Sequence, residues 1–268
     1  MNSPLFATTH QLLQTACIDE KCQGVVALYD AWLNDNVFFD ACTPVSEEVI
    51  GALPESLVLV PPKEIKKRNL TTKEGKAALI HAIAHIEYNA INIALDALYR
   101  FRDMPLSYYA DWLRIAREEA YHFSLLSQHL ISYGYHYGDF PAHLGLWEMV
   151  QKTSHDVLIR MALVPRLLEA RGLDVTPDIS RRLSQVNDMV GSEILKIIFF
   201  DEIHHVRIGN YWYYQLCRLR NLNPQETFIK LLNQYAPQQL RGPIAVHHRL
   251  KAGFDENELE LLIQMVKA

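Results

Sequence analysis

The sequence is short of several things, and each shortage removes a class of function. No stretch approaches the roughly 20 consecutive apolar residues of a membrane-spanning helix, so no membrane partner is expected. The opening MNSPLFATTHQLLQTACIDEK lacks a basic region followed by a long apolar run, which argues against an export signal and for a cytoplasmic protein. Cysteine is scarce. Cys17, Cys22, Cys42 and Cys217 have no zinc-type spacing and are too few for a disulfide framework in a chain of 268 residues, so they read as small buried side chains in a reducing compartment. Positive charge is not in excess either: 26 Lys and Arg against 31 Asp and Glu leave a net charge of −5, which gives no broad nucleic-acid surface. What is present is ordinary for a globular protein: 49% hydrophobic and 21% charged residues, enough to bury a substantial core.

The pattern along the chain is helical. Helix-period apolar positions fill residues 4–33, with a break expected around Ile18–Lys21. From Asp40 to Leu70 the pattern stops. Pro44, Pro54, Pro61 and Pro62, followed by the basic run Lys63–Arg68, predict an arm lying on the surface. Thr71-Thr72-Lys73-Glu74 resembles a helix cap with an acidic first turn, and opens a long helix to about Arg102. Met104-Pro105 closes it. A second helix spans about Ser107–Ser132, and Gly134–Pro141 is a loop. Helical patterning resumes through Arg171 and again over Ile179–Leu219, followed by a helix near Pro224–Tyr235 and a last one from about Asp255. The fold class is therefore all-α. Residues 1–70 read as a helical segment and wrapping arm, 71–220 as a four-helix bundle, and 221–268 as a helical extension packed on it.

Two short strings carry the chemistry. Glu119-Ala-Tyr-His122 and Glu202-Ile-His-His205 are both Glu-x-x-His steps on helical segments, and each follows a lone glutamate at nearly the same distance. Glu87 precedes the first by 32 residues (119 − 87), and Glu169 precedes the second by 33 (202 − 169). Residues i and i+3 of a helix share a face, so one metal ion can touch both side chains of a step. The doubled unit offers four carboxylates and two imidazoles, which is the donor set of dinuclear carboxylate bundles. The neighbours argue for burial: Ile83, Ala84, Ala90, Ile91 and Ala94 surround Glu87, while Ile115, Ala116, Phe123 and Leu126 surround Glu119. Buried carboxylates need cations. Arg166 alone lies one turn from one of these glutamates on an otherwise apolar face, and one arginine cannot neutralise four acids.

Ligand histidines usually donate their second ring N–H to a carboxylate. Asp201 and Glu118 each lie one turn before a candidate ligand histidine and are the expected partners. His81 and His85 fall off the face of Glu87 and read as core or rim histidines. His129 is two turns beyond His122, about 10 Å along the helix, too far to share the metals. The run Tyr211-Trp212-Tyr213-Tyr214 reads as core and rim packing. Depth adds a further expectation. A turn at Gly172–Pro177 would put Glu169 and Glu202 at very different depths in a hairpin. The turn is therefore placed near Asn187–Gly191, with Gly172–Pro177 as a break inside the third helix, which resumes for two or three turns.

With these residues in place, the chain resembles the ferritin-like superfamily. The strings AHIEYNAI, EEAYHF, LEARGLD and DEIHHVRIGNYW resemble one branch of it, a bacterial family labelled a domain of unknown function, number 455. The resemblance runs from about Glu74 to Leu219 and takes in KAGF at Lys251–Phe254. It implies a four-helix bundle with extra terminal helices and a bound metal pair: two Fe ions first, with Mn or a mixed Fe/Mn pair as alternatives. The activity it implies is a non-haem di-iron oxidoreductase that activates O2, with hydroxylation among the reactions open to it. Its partners would be O2 or peroxide, a small substrate and an electron donor. A non-catalytic metal-binding or iron-handling protein is the alternative, and manganese catalase-like peroxide dismutation a third. Leu126 stands where radical-generating relatives carry a tyrosine, which counts against that role. Related branches include hydroxylases of a modified tRNA base. The KEIKKR string at Lys63–Arg68 offers a small patch for such a contact, but a solvated loop is the plainer reading.

Overall fold

Short capping signals set where each helix begins, and the packing of those helices builds the molecule. The computed structural model describes residues 3–40, 45–46, 51–66 and 68–267; Cys42, Pro44 and Lys67 lie outside the described residues. The chain is all-helical apart from two-residue strands β1 (Ser3–Pro4) and β2 (Val37–Phe38), which pair in parallel. Packing divides it into two compact units, Met1–Trp147 and Glu148–Ala268.

In the first unit, α1 (Leu5–Gln14) and α2 (Ile18–Leu33) are separated at residues 15–17, a few positions earlier than expected. Helix α3 (Lys73–Arg100) starts where Thr72 Oγ1 accepts the Gly75 N–H at 3.0 Å, one of the orphan donors of the first turn. Pro105 precedes α4 (Leu106–Ser132), and α3 and α4 pack as a hairpin, with α1 on α3 and α2 on α4. Ile80, Ala84, Ile91, Trp112, Ala116 and Leu126 are among the residues buried there. Lys21 tethers the N-terminal helices to the rest of the unit. Its buried ammonium donates to Asn92 Oδ1 on α3 and to the carbonyls of Leu13 and Ala52. Of the cysteines expected to be buried, Cys217 is, whereas Cys17 is exposed at the head of α2 and Cys22 is half-buried; among the described residues no cysteine is bridged.

Helix α5 (Gly145–Lys152) carries the chain into the second unit. The helix expected to run unbroken to Arg171 is interrupted at Thr153–Asp156, where Asp156 caps α6 (Val157–Leu163) by accepting from the N–H groups of Leu158 and Ile159. Val164–Glu169 then forms a π-helical turn. From there α7 runs continuously from Ala170 to Gln185 with Pro177 inside it, so the break expected between Arg171 and Pro177 is absent. The irregularity sits one step earlier, at Pro165, where the wider π turn absorbs the missing backbone donor. The turn between hairpin arms falls at residues 186–188, as the depth argument required. Asn187 adopts φ 58°, and Asp188 caps α8 (Met189–Leu219). Helices α9 (Pro224–Tyr235), α10 (Val246–Lys251) and α11 (Glu256–Lys267) complete the unit, and α7 and α8 form its central hairpin. No helix of the described residues is long and apolar enough to cross a membrane.

Gly209 lets α8 approach the π turn closely. A Cβ there would overlap the Pro165 ring, lying 2.6 Å from its Cγ as well as against its Cβ. Gly209→Ala is expected to cost about 1–3 kcal/mol of stability. The measurement is a thermal melt, in which Tm should fall by about 2–4 °C per kcal/mol; an unchanged Tm would mean that the contact is slack.

Candidate metal centre

Glu87 lies thirteen residues before the end of α3 (100 − 87) and Glu119 thirteen after the start of α4 (119 − 106), so the hairpin holds them at one depth. His122 follows one turn later on the same face of α4. All three are buried, at 3%, 1% and 0% exposure, far below what ionisable side chains usually show. His122 Nδ1 lies 3.2 Å from Glu87 Oε2 and 3.4 Å from Glu119 Oε2, and one donor atom from each residue falls within 4.8 Å of the others. Donors bonded to one ion at about 2.0–2.2 Å stand about 3.0–3.5 Å apart at octahedral to tetrahedral angles. The observed spacings fall in that range. Two carboxylates and a neutral imidazole also balance the charge of a divalent ion, so the residues fit one.

The second unit repeats the step. Glu202 and His205 lie on one face of α8, with Glu202 Oε1 3.8 Å from His205 Nδ1, and both side chains are largely enclosed. Glu169 is the last residue of the π turn, half-buried, sixteen residues before the end of α7 (185 − 169). Glu202 is thirteen after the start of α8 (202 − 189), so the two glutamates lie at similar depths of their hairpin. A π turn shifts the register of the residues that follow it, and such turns recur at functional sites.

Of the residues expected behind the ligands, Glu118 accepts from Arg114 Nε at 2.8 Å and is mostly enclosed, and Asp201 is half-buried on α8. The fully buried Arg166 guanidinium is bonded to Glu258 of α11, a partner that no local signal in the sequence announced. His81 and His85 are core histidines, as expected. His85 Nε2 lies 3.0 Å from the His143 carbonyl, which can only accept, so the proton sits on Nε2 and Nδ1 accepts from the Tyr137 hydroxyl at 2.7 Å. Tyr137 and Asn89, which donates to the His85 carbonyl, are members of this cluster that the sequence reading did not reach.

His81 supplies a pH test. Its Nε2 accepts the Gly138 N–H at 2.9 Å, which requires a neutral ring. Burial, with a smaller contribution from His85, pulls its pKa from 6.5 down to about 4. Between those values the unfolded chain binds a proton that the folded chain does not, so stability falls as pH is lowered through the window. This one group accounts for at most about 1.4 kcal/mol per pH unit. Urea denaturation between pH 7 and 4.5 should show that loss, and His81→Gln should flatten it; an equal slope in the variant would contradict the assignment.

Comparison with known proteins agrees on the family and names no activity. The model of a family described as "Protein of unknown function (DUF455)" matches residues 14–260. An uncharacterized protein of Haemophilus influenzae is 47% identical over 263 residues, which cover 94% of this chain and 91% of that protein. No solved structure matches. The match over residues 14–260 and the 47% identity together make the chain a member of the DUF455 family.

Proposed function

We propose that the protein is a ferritin-like di-metal carboxylate protein acting as a non-haem di-iron oxidoreductase. Glu87, Glu119 and His122 would hold one ion, and Glu169, Glu202 and His205 the other. The observation that carries the reading is the burial of two carboxylates against one imidazole at metal-ligand spacing on α3 and α4. The matched Glu and Glu-x-x-His on the π turn and α8 supply the second half of the donor set.

A pair of iron ions so bound would supply the redox chemistry that activates O2. The rest of the work belongs to this chain. The glutamates would neutralise the positive charge of the ions, and His122 and His205 would each help to hold one. Phe123, Leu126 and the buried Ala84 and Ala116 exclude water from the first-unit ligands, which strengthens each electrostatic contact there. A carboxylate-rich donor set suits manganese as well as iron, so the metal recovered from the native protein decides between them.

Metal analysis of natively purified protein by plasma emission should find two equivalents of iron, or of iron and manganese. Glu202→Ala and His205→Ala should each lose at least one equivalent with the helical circular dichroism intact. The reduced wild type should take up O2. Unchanged metal content in both variants would remove these residues as ligands. Metal without O2 or peroxide turnover would make the protein a metal carrier instead of an enzyme.

A further inference from the structure

Three charged residues bracket Glu169, and all three are bound by the same distant piece of chain. Arg166, three residues before it in the middle of the π turn, is fully buried and paired with Glu258 of α11, itself 3% exposed. The Arg166 guanidinium also lies 4.1 Å from the ring centre of Tyr213, 4.4 Å from Phe228 and 4.9 Å from Phe254. The Tyr214 hydroxyl donates to the other Glu258 oxygen at 3.0 Å. Arg171, two residues after Glu169, donates to the carbonyls of Arg241, Gly242 and Pro243 at 2.9–3.1 Å. Asp174, three residues further, accepts from buried Arg249 at 2.7 and 3.0 Å and from the Ala245 N–H at 2.8 Å.

We infer that residues 241–258 position Glu169, with Arg166 and Glu258 as the principal positioning pair and Arg171 as a second brace. This rests on the reading of Glu169 as a metal ligand. The physical need lies in the π turn itself. Such i→i+5 turns are rare and occur mostly as single turns inside α-helices, frequently at functional sites. A buried ion pair adds little net stability over an apolar replacement, but it fixes direction. Here the direction it fixes is that of the turn ending in Glu169. The KAGF segment at Lys251–Phe254 takes part, because the Phe254 ring contacts both Arg166 and Arg249.

The test is Co(II) titration of the full-length protein, followed by its visible absorption and by calorimetry. Wild type should bind two equivalents. Glu258→Gln, which removes the charge that holds Arg166, should weaken one of the two at least about tenfold, the size of effect seen when support behind a ligand is lost, and change the absorption of that site alone. Arg171→Met should act in the same direction and serves if Glu258→Gln does not fold, while Arg171→Lys should recover part of the loss. Leu259→Ala, a buried apolar change on α11, gives a control of comparable destabilisation and should retain both affinities. Unchanged binding in Glu258→Gln and Arg171→Met would overturn the inference while leaving the di-metal reading standing, and so would an equal loss in Leu259→Ala. No Co(II) binding by wild type would overturn both.

Discussion

Two carboxylates buried beside one imidazole set the terms for the rest of the protein. Glu87 and Glu119 sit in an interior lined by alanine, isoleucine, phenylalanine and leucine, where an uncompensated negative charge costs several kcal/mol. A chain that places such groups on adjacent helices at equal depth must compensate them. On the proposed reading a divalent ion, held by both carboxylates and by His122 Nδ1 at 3.2 and 3.4 Å from them, would supply that compensation. Helix length, the Thr72 cap and the short Phe101–Pro105 connection then follow as means to one end. They hold the two arms of the first hairpin in register, so that Glu87 and Glu119 meet.

The second unit carries its Glu169 and its Glu202–His205 step on less regular backbone. The stretch that carries Glu169 contains Pro165, which no α-helix accommodates without loss of a backbone bond. The chain widens into a π turn there, and Gly209 of α8 makes room for the proline ring. Irregular backbone of this kind needs external support, and the aromatic and charged groups of α8, α9 and α11 converge on Arg166 to give it. The C-terminal helices are thus more than an appendage: their polar groups meet the segment that carries Glu169.

Much of this was legible in the sequence, for identifiable reasons. Caps and spacing are local signals. Thr72 marked the start of α3, Pro224–Tyr235 was read at its true bounds, and the 32- and 33-residue intervals picked out all six candidate ligands. The α7–α8 turn lies where equal depth of Glu169 and Glu202 puts it, yet the accompanying break at Gly172–Pro177 is absent. A proline in mid-helix removes one donor, and α7 tolerates that loss at Pro177, where Arg171 and Asp174 anchor it from outside. The irregularity the structure holds is the π turn at Pro165. Helix α10 has six residues, too few for periodicity to announce it. Glu258, which pairs with Arg166, and Arg249 and Ala245, which bind Asp174, are each more than 70 positions away and belong to no motif, so only the folded chain reveals them.

The most direct measurement is X-ray absorption at the iron and manganese edges of protein purified without added metal or chelator. A di-metal carboxylate centre predicts a nitrogen and oxygen shell at about 2.0–2.2 Å and a metal–metal vector of about 3.5–4 Å. A single-ion spectrum with no metal scatterer, or the absence of any transition metal, would contradict it.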